Sequence, residues 1–92
     1  GQGQIKDIVR LVLDELGERL NDQLELKLSY TEEAVEYLAA AGFDISFGAR
    51  PLKRLIVHTV ETILGKKIVA GEIKNGESIK VILKNGNIDL EK

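Results

Sequence analysis

The stretch FDISFGARPLKRLI, Phe43 to Ile56, sets an arginine between a Gly-Ala pair and a proline. The chemistry this arrangement suits is anion binding. Pro51 fits the first turn of a helix, where its missing N–H would have had no partner anyway. Arg50 therefore stands at or next to a helix N-terminus, where unpaired N–H groups and the helix dipole favour negative charge. Gly48 lets the backbone turn sharply or come close to a neighbour. The guanidinium adds a full charge and a fork of donors that matches phosphate or carboxylate oxygens. A cation at the positive end of a helix costs about 0.3–1 kcal/mol, so Arg50 needs a compensating partner. A carboxylate of the same chain, such as Asp44, Glu32, Glu33 or Glu36, would serve, and so would the phosphate of a ligand. Local chemistry leaves both open.

Other constellations carry less. The phosphate-cradling loop Gly-x4-Gly-Lys-Ser/Thr is absent, because ILGKKIV has one glycine before its lysines and no hydroxyl residue after them. The chain is not expected to hydrolyse ATP alone, and no catalytic residue is assigned within it. Ser29, Ser46 or Ser78 can formally be combined with His58 and an acid, but His58 falls inside a helical pattern and no serine has a nucleophile-elbow context. His58 is the only histidine and there is no cysteine, so no metal site is assigned and His58 reads as an ordinary helix residue. Glu32-Glu33 and Asp14-Glu15 are adjacent in sequence and diverge on a helix, which makes them capping or solvated groups. Lys53, Arg54, Lys66 and Lys67 read as a solvated helix face.

The elements that must hold Arg50 follow from periodicity. Ile5, Ile8, Val9, Val12, Leu13, Leu16 and Leu20 recur at helical steps with charged residues between them, an amphipathic helix. Gly17 is expected to fray or bend its last turn, and Asn21-Asp22 to end it. Leu24, Leu26, Leu28 and Tyr30 then alternate with polar residues as a half-buried strand. Thr31 is placed to N-cap a second helix, with Glu32 and Glu33 at the positive end of its dipole. That helix is expected to run through Val35, Leu38 and Ala39 to about Ala41 and stop at Gly42. After the connector, Leu52, Leu55, Ile56, Thr59, Val60, Ile63 and Leu64 mark the buried stripe of a third helix. Gly65 is expected to interrupt it, with 66–70 as a short extra turn. Ile79, Val81 and Leu83, then Asn85-Gly86, then Ile88 and Leu90 read as a strand hairpin. The expected fold class is α+β, in the order α-β-α-α-(α)-β-β, with three to four helices packed on a small three-stranded sheet.

Composition sets the remaining bounds. With 92 residues and 43% hydrophobic content, one compact domain over 1–92 fits, burying roughly 60–65% of its unfolded surface. No apolar run reaches about 18 residues and no basic-then-apolar segment opens the chain, so neither membrane nor secretion is expected. Thirteen Lys+Arg against 15 Asp+Glu give a net charge of −2, without the basic stripe expected of a nucleic-acid binder. The absence of cysteine fits a reducing cytosol without deciding the compartment. The chain opens Gly1-Gln2-Gly3-Gln4 and contains no methionine. It reads as an excised piece of a longer protein, with 1–4 a linker or cloning scar, and as a monomer.

The segment AVEYLAAAGFDISFGARPLKRLI, with the leucine strand before it and the helix and hairpin after it, resembles the C-terminal small subdomain of the second ATPase module in Clp-family AAA+ chaperones. The resemblance runs from about Ile5 to Leu90 and is most specific at Gly48-Ala49-Arg50-Pro51-Leu52 followed by Lys53-Arg54. It implies that Arg50 is the sensor-2 arginine, reaching the phosphates of ATP and magnesium bound on the large subdomain of the same chain. Gly48 and Ala49 would be its geometric support, and Pro51 and Leu52 would seat the helix. It also implies a cytoplasmic hexameric ring in which this piece packs on the large subdomain of the next protomer. Unfolded or aggregated polypeptide would be threaded through that ring. Ile45, where many relatives carry proline, changes a loop and leaves the arginine alone. The boundary near Gly65 departs similarly, since many relatives carry a helix-breaking proline after the position of Glu61. The short tail leans to the ClpB disaggregase type over the ClpA or ClpC type, which feeds a peptidase. A reading of another class is a non-enzymatic α+β binding module whose Arg50 recognises an acidic peptide or holds a salt bridge.

Overall fold

The computed structural model describes the backbone of residues 2–45 and 49–92 and the side chains of 3–42 and 50–92. Six elements follow one another: α1 (Gln2–Leu24), β1 (Lys27–Tyr30), α2 (Glu32–Ile45), α3 (Ala49–Val69), β2 (Ser78–Lys84) and β3 (Asn87–Glu91). The fold is α+β, as the periodicities predict. The sheet is mixed, in the order β1-β2-β3. β1 runs parallel to β2, with Leu28 opposite Ile79 and Tyr30 opposite Val81, and β3 returns antiparallel, with Leu90 opposite Val81 and Ile88 opposite Leu83. Because side chains alternate along a strand, this register collects Ile79, Val81, Ile88 and Leu90 on one buried face, while Ser78, Lys80, Asn87 and Glu91 are exposed.

The three helices cover that face. Val9, Val12, Leu13, Leu16 and Leu20 of α1, Ala34, Val35, Leu38 and Ala39 of α2, and Leu52, Ile56, Val60 and Leu64 of α3 join the strand residues in one core. The α1 stripe is the one predicted. On α3 the fully buried row is narrower, one residue per turn, with Val57 and Ile63 only partly buried beside it. Among the described residues no helix is long and apolar enough to cross a membrane.

Boundary expectations set by glycine fail in a consistent way. α1 passes through Gly17 and Asn21-Asp22 and ends at Leu24, so Leu24 belongs to the helix and not to the strand. A Cβ on Gly17 would lie 3.4 Å from the Leu28 Cβ, so this glycine is where α1 meets β1. The helix stops at Leu24. Glu25 takes the left-handed conformation (φ 58) and its N–H donates to the Asn21 carbonyl at 2.9 Å, a C-terminal cap made without glycine. α2 passes through Gly42 to Ile45. A Cβ at Gly42 would collide with the Leu52 side chain, and the glycine lets α2 close on α3. α3 passes through Gly65 without a break, so no extra helix forms. It ends at Val69 and is closed by Gly71 (φ 76), where the Glu72 N–H donates to the Lys67 carbonyl (2.9 Å) and the Gly71 N–H to the Ile68 carbonyl (3.0 Å), the paired bonds of a Schellman cap.

Two local predictions hold. The Ala34 N–H donates to Thr31 Oγ1 at 3.1 Å, so Thr31 caps α2. Asn85 and Gly86 both have positive φ (52 and 80), the signature of the two-residue turn that matches strand twist.

Candidate functional site

Arg50 is the second residue of α3, and Pro51 completes the first turn, where a missing N–H costs nothing. Leu52 is buried under Gly42, which fixes the rotation of the helix about its axis. The opposite side of the same turns then faces outward. Arg50, Lys53 and Arg54 are exposed, and they fall on one face together with the half-buried Val57, because residues three and four apart are neighbours on a helix.

α1 supplies the other wall. Its Arg19 donates to Glu61 Oε2 of α3 at 2.8 Å, a link between the two helices. Arg19, Arg50, Lys53, Arg54 and Val57 line an open groove of about 520 Å³. Of its four cations, only Arg19 has an ion pair among the described residues. Arg50 stands three and four residues from Lys53 and Arg54, like-charge spacings each unfavourable by about 0.2–0.5 kcal/mol, beside a positive helix end.

The carboxylates that could have answered Arg50 within the chain are largely engaged elsewhere. Glu32 accepts from Arg10 at 2.7 Å, and that hydrogen bond is the main reason the Arg10 guanidinium is held above its ordinary pKa. Glu36 pairs with Lys6 at 3.4 Å. Glu33 is exposed and reaches no cation among the described residues. The Asp44 side chain lies outside the described residues, as do Gly48 and the side chain of Ala49. No ion pair or hydrogen bond among the described residues reaches the Arg50 guanidinium.

The other candidates separate. Lys53 and Arg54 belong to this groove, whereas Lys66 and Lys67 sit in the last turn of α3, some 20 Å away at the rise of an α-helix. Lys67 is held there between Glu72 (3.9 Å) and Asp89 (3.6 Å). The four are therefore not one face. His58 is exposed on α3, and Ser29 and Ser78 lie on β1 and β2. Ser46 is outside the described residues. Among the described residues no group of three His, Cys, Asp or Glu side chains is placed to hold a metal. The sequence reading missed Arg19: its polar position on α1 was legible, but nothing in periodicity says which helix stands opposite.

Residues 1–81 match the family model for the C-terminal, D2-small domain of ClpB protein. The chain belongs to the ClpB D2-small domain family. Membership bears out the Clp-family resemblance and its lean to the ClpB type. Curated relatives agree. "Chaperone protein ClpB 1" of Synechococcus elongatus is 44% identical over 82 residues, which is 89% of this chain and 9% of that protein. "Chaperone protein ClpB" of Rickettsia bellii is 41% identical over 90 residues, 98% of this chain and 10% of that protein. The Oceanobacillus iheyensis protein of the same name is 41% identical over 81 residues, 88% of this chain and 10% of that protein. This ClpB-type small domain thus spans about a tenth of the curated relatives it matches.

Proposed function

We propose that this chain is the small, lid subdomain of an ATP-driven protein disaggregase. In this reading Arg50 is the sensor-2 residue, and it meets nucleotide bound on the large subdomain of the same protein. ATP with its magnesium would supply the phosphoryl group whose hydrolysis drives the machine. What this chain contributes is a positioned cation that pairs with phosphate oxygens and holds their charge. Gly48 and Ala49 serve as its backbone support. The remaining surface serves the contact with the neighbouring protomer's large subdomain in a hexameric ring. Force on a threaded, unfolded or aggregated polypeptide comes from rigid-body rotation of such subdomains. The compartment is the cytoplasm.

The observation that carries the reading is the state of Arg50: exposed at the start of a helix, without an intramolecular partner among the described residues, and fixed in direction by Leu52 under α2. A structural salt bridge would have required an engaged carboxylate, and Glu32 and Glu36 are committed to Arg10 and Lys6.

Substitution in the intact protein tests it. Arg50→Ala is expected to lower steady-state ATP turnover by about tenfold or more, while shifting the stability of the 92-residue chain by less than about 0.5 kcal/mol. Unchanged turnover, or a chain destabilised by more than about 2 kcal/mol, would return Arg50 to a structural role.

A further inference from the structure

The groove holds more charge than one phosphate contact needs. Arg54 lies one turn beyond Arg50 on the same face, about 6 Å along the helix axis. Lys53 stands between them and Arg19 opposite, and Glu61 is the only carboxylate paired into the set among the described residues. The cations are spread along α3, not centred on the helix end, and Val57 adds an apolar surface to the lining. A single phosphate at Arg50 would leave Lys53 and Arg54 uncompensated. A chain of linked phosphates lying along the groove would meet Arg50 and Arg54 at successive positions.

We infer that Arg54, with Lys53 and Arg19 beside it, is a second anion-binding position in the Arg50 groove, so that this face takes a polyphosphate and not one terminal phosphate. That the polyphosphate is a nucleotide's rests on the lid reading above. The groove's preference for linked phosphates stands on its own geometry. Arg50 and Arg54 bind as a pair, and the forked donors of each guanidinium engage adjacent phosphoryl groups.

The test uses this chain with inorganic probes. Sodium tripolyphosphate, orthophosphate and chloride are titrated at matched ionic strength, with binding read from backbone amide shifts and from the change in melting temperature. Tripolyphosphate is expected to bind tighter than orthophosphate, with shifts concentrated over 50–57 and at Arg19. Arg54→Gln is expected to weaken tripolyphosphate binding by about fivefold, the scale of one exposed charge pair, while melting at the same or a higher temperature because like-charge repulsion is relieved. That combination separates a lost contact from a damaged fold. Equal affinity in Arg54→Gln and the unsubstituted chain overturns the inference, and so does a chloride effect as large as that of tripolyphosphate. If Arg50→Gln weakens binding and Arg54→Gln does not, this inference falls and the role of Arg50 stands. If both weaken it while Arg50→Ala leaves ATP turnover of the intact protein unchanged, the lid reading falls and the polyphosphate groove stands.

Discussion

Glu77 fastens the loop before β2 to the end of the chain. Its carboxylate accepts from the Lys74 N–H at 2.6 Å and from Lys92 Nζ at 3.2 Å. The backbone hydrogen bond first, and Lys92 second, hold its pKa below the ordinary 4.5. Its folded pKa is depressed, so its contribution to stability is fully present above the unfolded value and is lost as pH falls through the folded one. Glu77→Gln is therefore expected to lower the melting temperature at pH 7 and to lose that difference progressively as pH falls below the ordinary 4.5. The check is a pair of melting curves between pH 7 and 3, and curves that stay parallel throughout would discount the charge. Residue types alone place Arg50 at a helix start beside Pro51, where a cation is mildly unfavourable. They did not reveal that Glu32 and Glu36 would be drawn to Arg10 and Lys6. That depends on α1 and α2 lying side by side, a tertiary fact with no trace in local pattern.

Between elements, glycine was the misleading signal. Periodicity found each helix, its buried face and the hairpin, because those depend on one element meeting one core. The helices run past the predicted stops at Asn21-Asp22, Gly42 and Gly65, because a helix interior tolerates glycines such as Gly17, Gly42 and Gly65 at about 1 kcal/mol each. Two of them have packing reasons. Gly42 lies against Leu52 and Gly17 against Leu28, while around Gly65 a Cβ would meet nothing within 4 Å. The same substitution should then have opposite signs in two helices. Gly65→Ala is expected to stabilise the chain by about 0.5–1 kcal/mol. Gly42→Ala gains the same propensity but forces the buried Leu52 aside, a strain of about 1–3 kcal/mol, and is expected to destabilise on balance, with Gly42→Leu worse. Urea melts of the three variants decide it, and a stabilised Gly42→Ala would mean that α2 and α3 are free to separate.

Taken whole, the molecule has one core to which every element contributes, with a radius of gyration of 12.8 Å, close to the value of about 12 Å expected for a compact chain of this length. A close-packed core of this kind transmits displacement without deforming, which is what the proposed lid role would require. It also means that no edge element is dispensable. β3 lies beyond residue 81, where the family match ends, yet it places Leu90 against Val81 and brings Ile88 and Leu90 into the core. A chain ending at residue 85 would leave that edge of β2 unpaired and lose both side chains. It is expected to lose its single cooperative unfolding transition, while Leu90→Ala, which keeps the strand, should cost about 2–4 kcal/mol with an unchanged urea m-value. Urea denaturation followed by far-UV circular dichroism reads both. A shortened chain that unfolds as sharply as the full one would show that α1, α2, α3 and β2 are a sufficient core and that β3 only shields it.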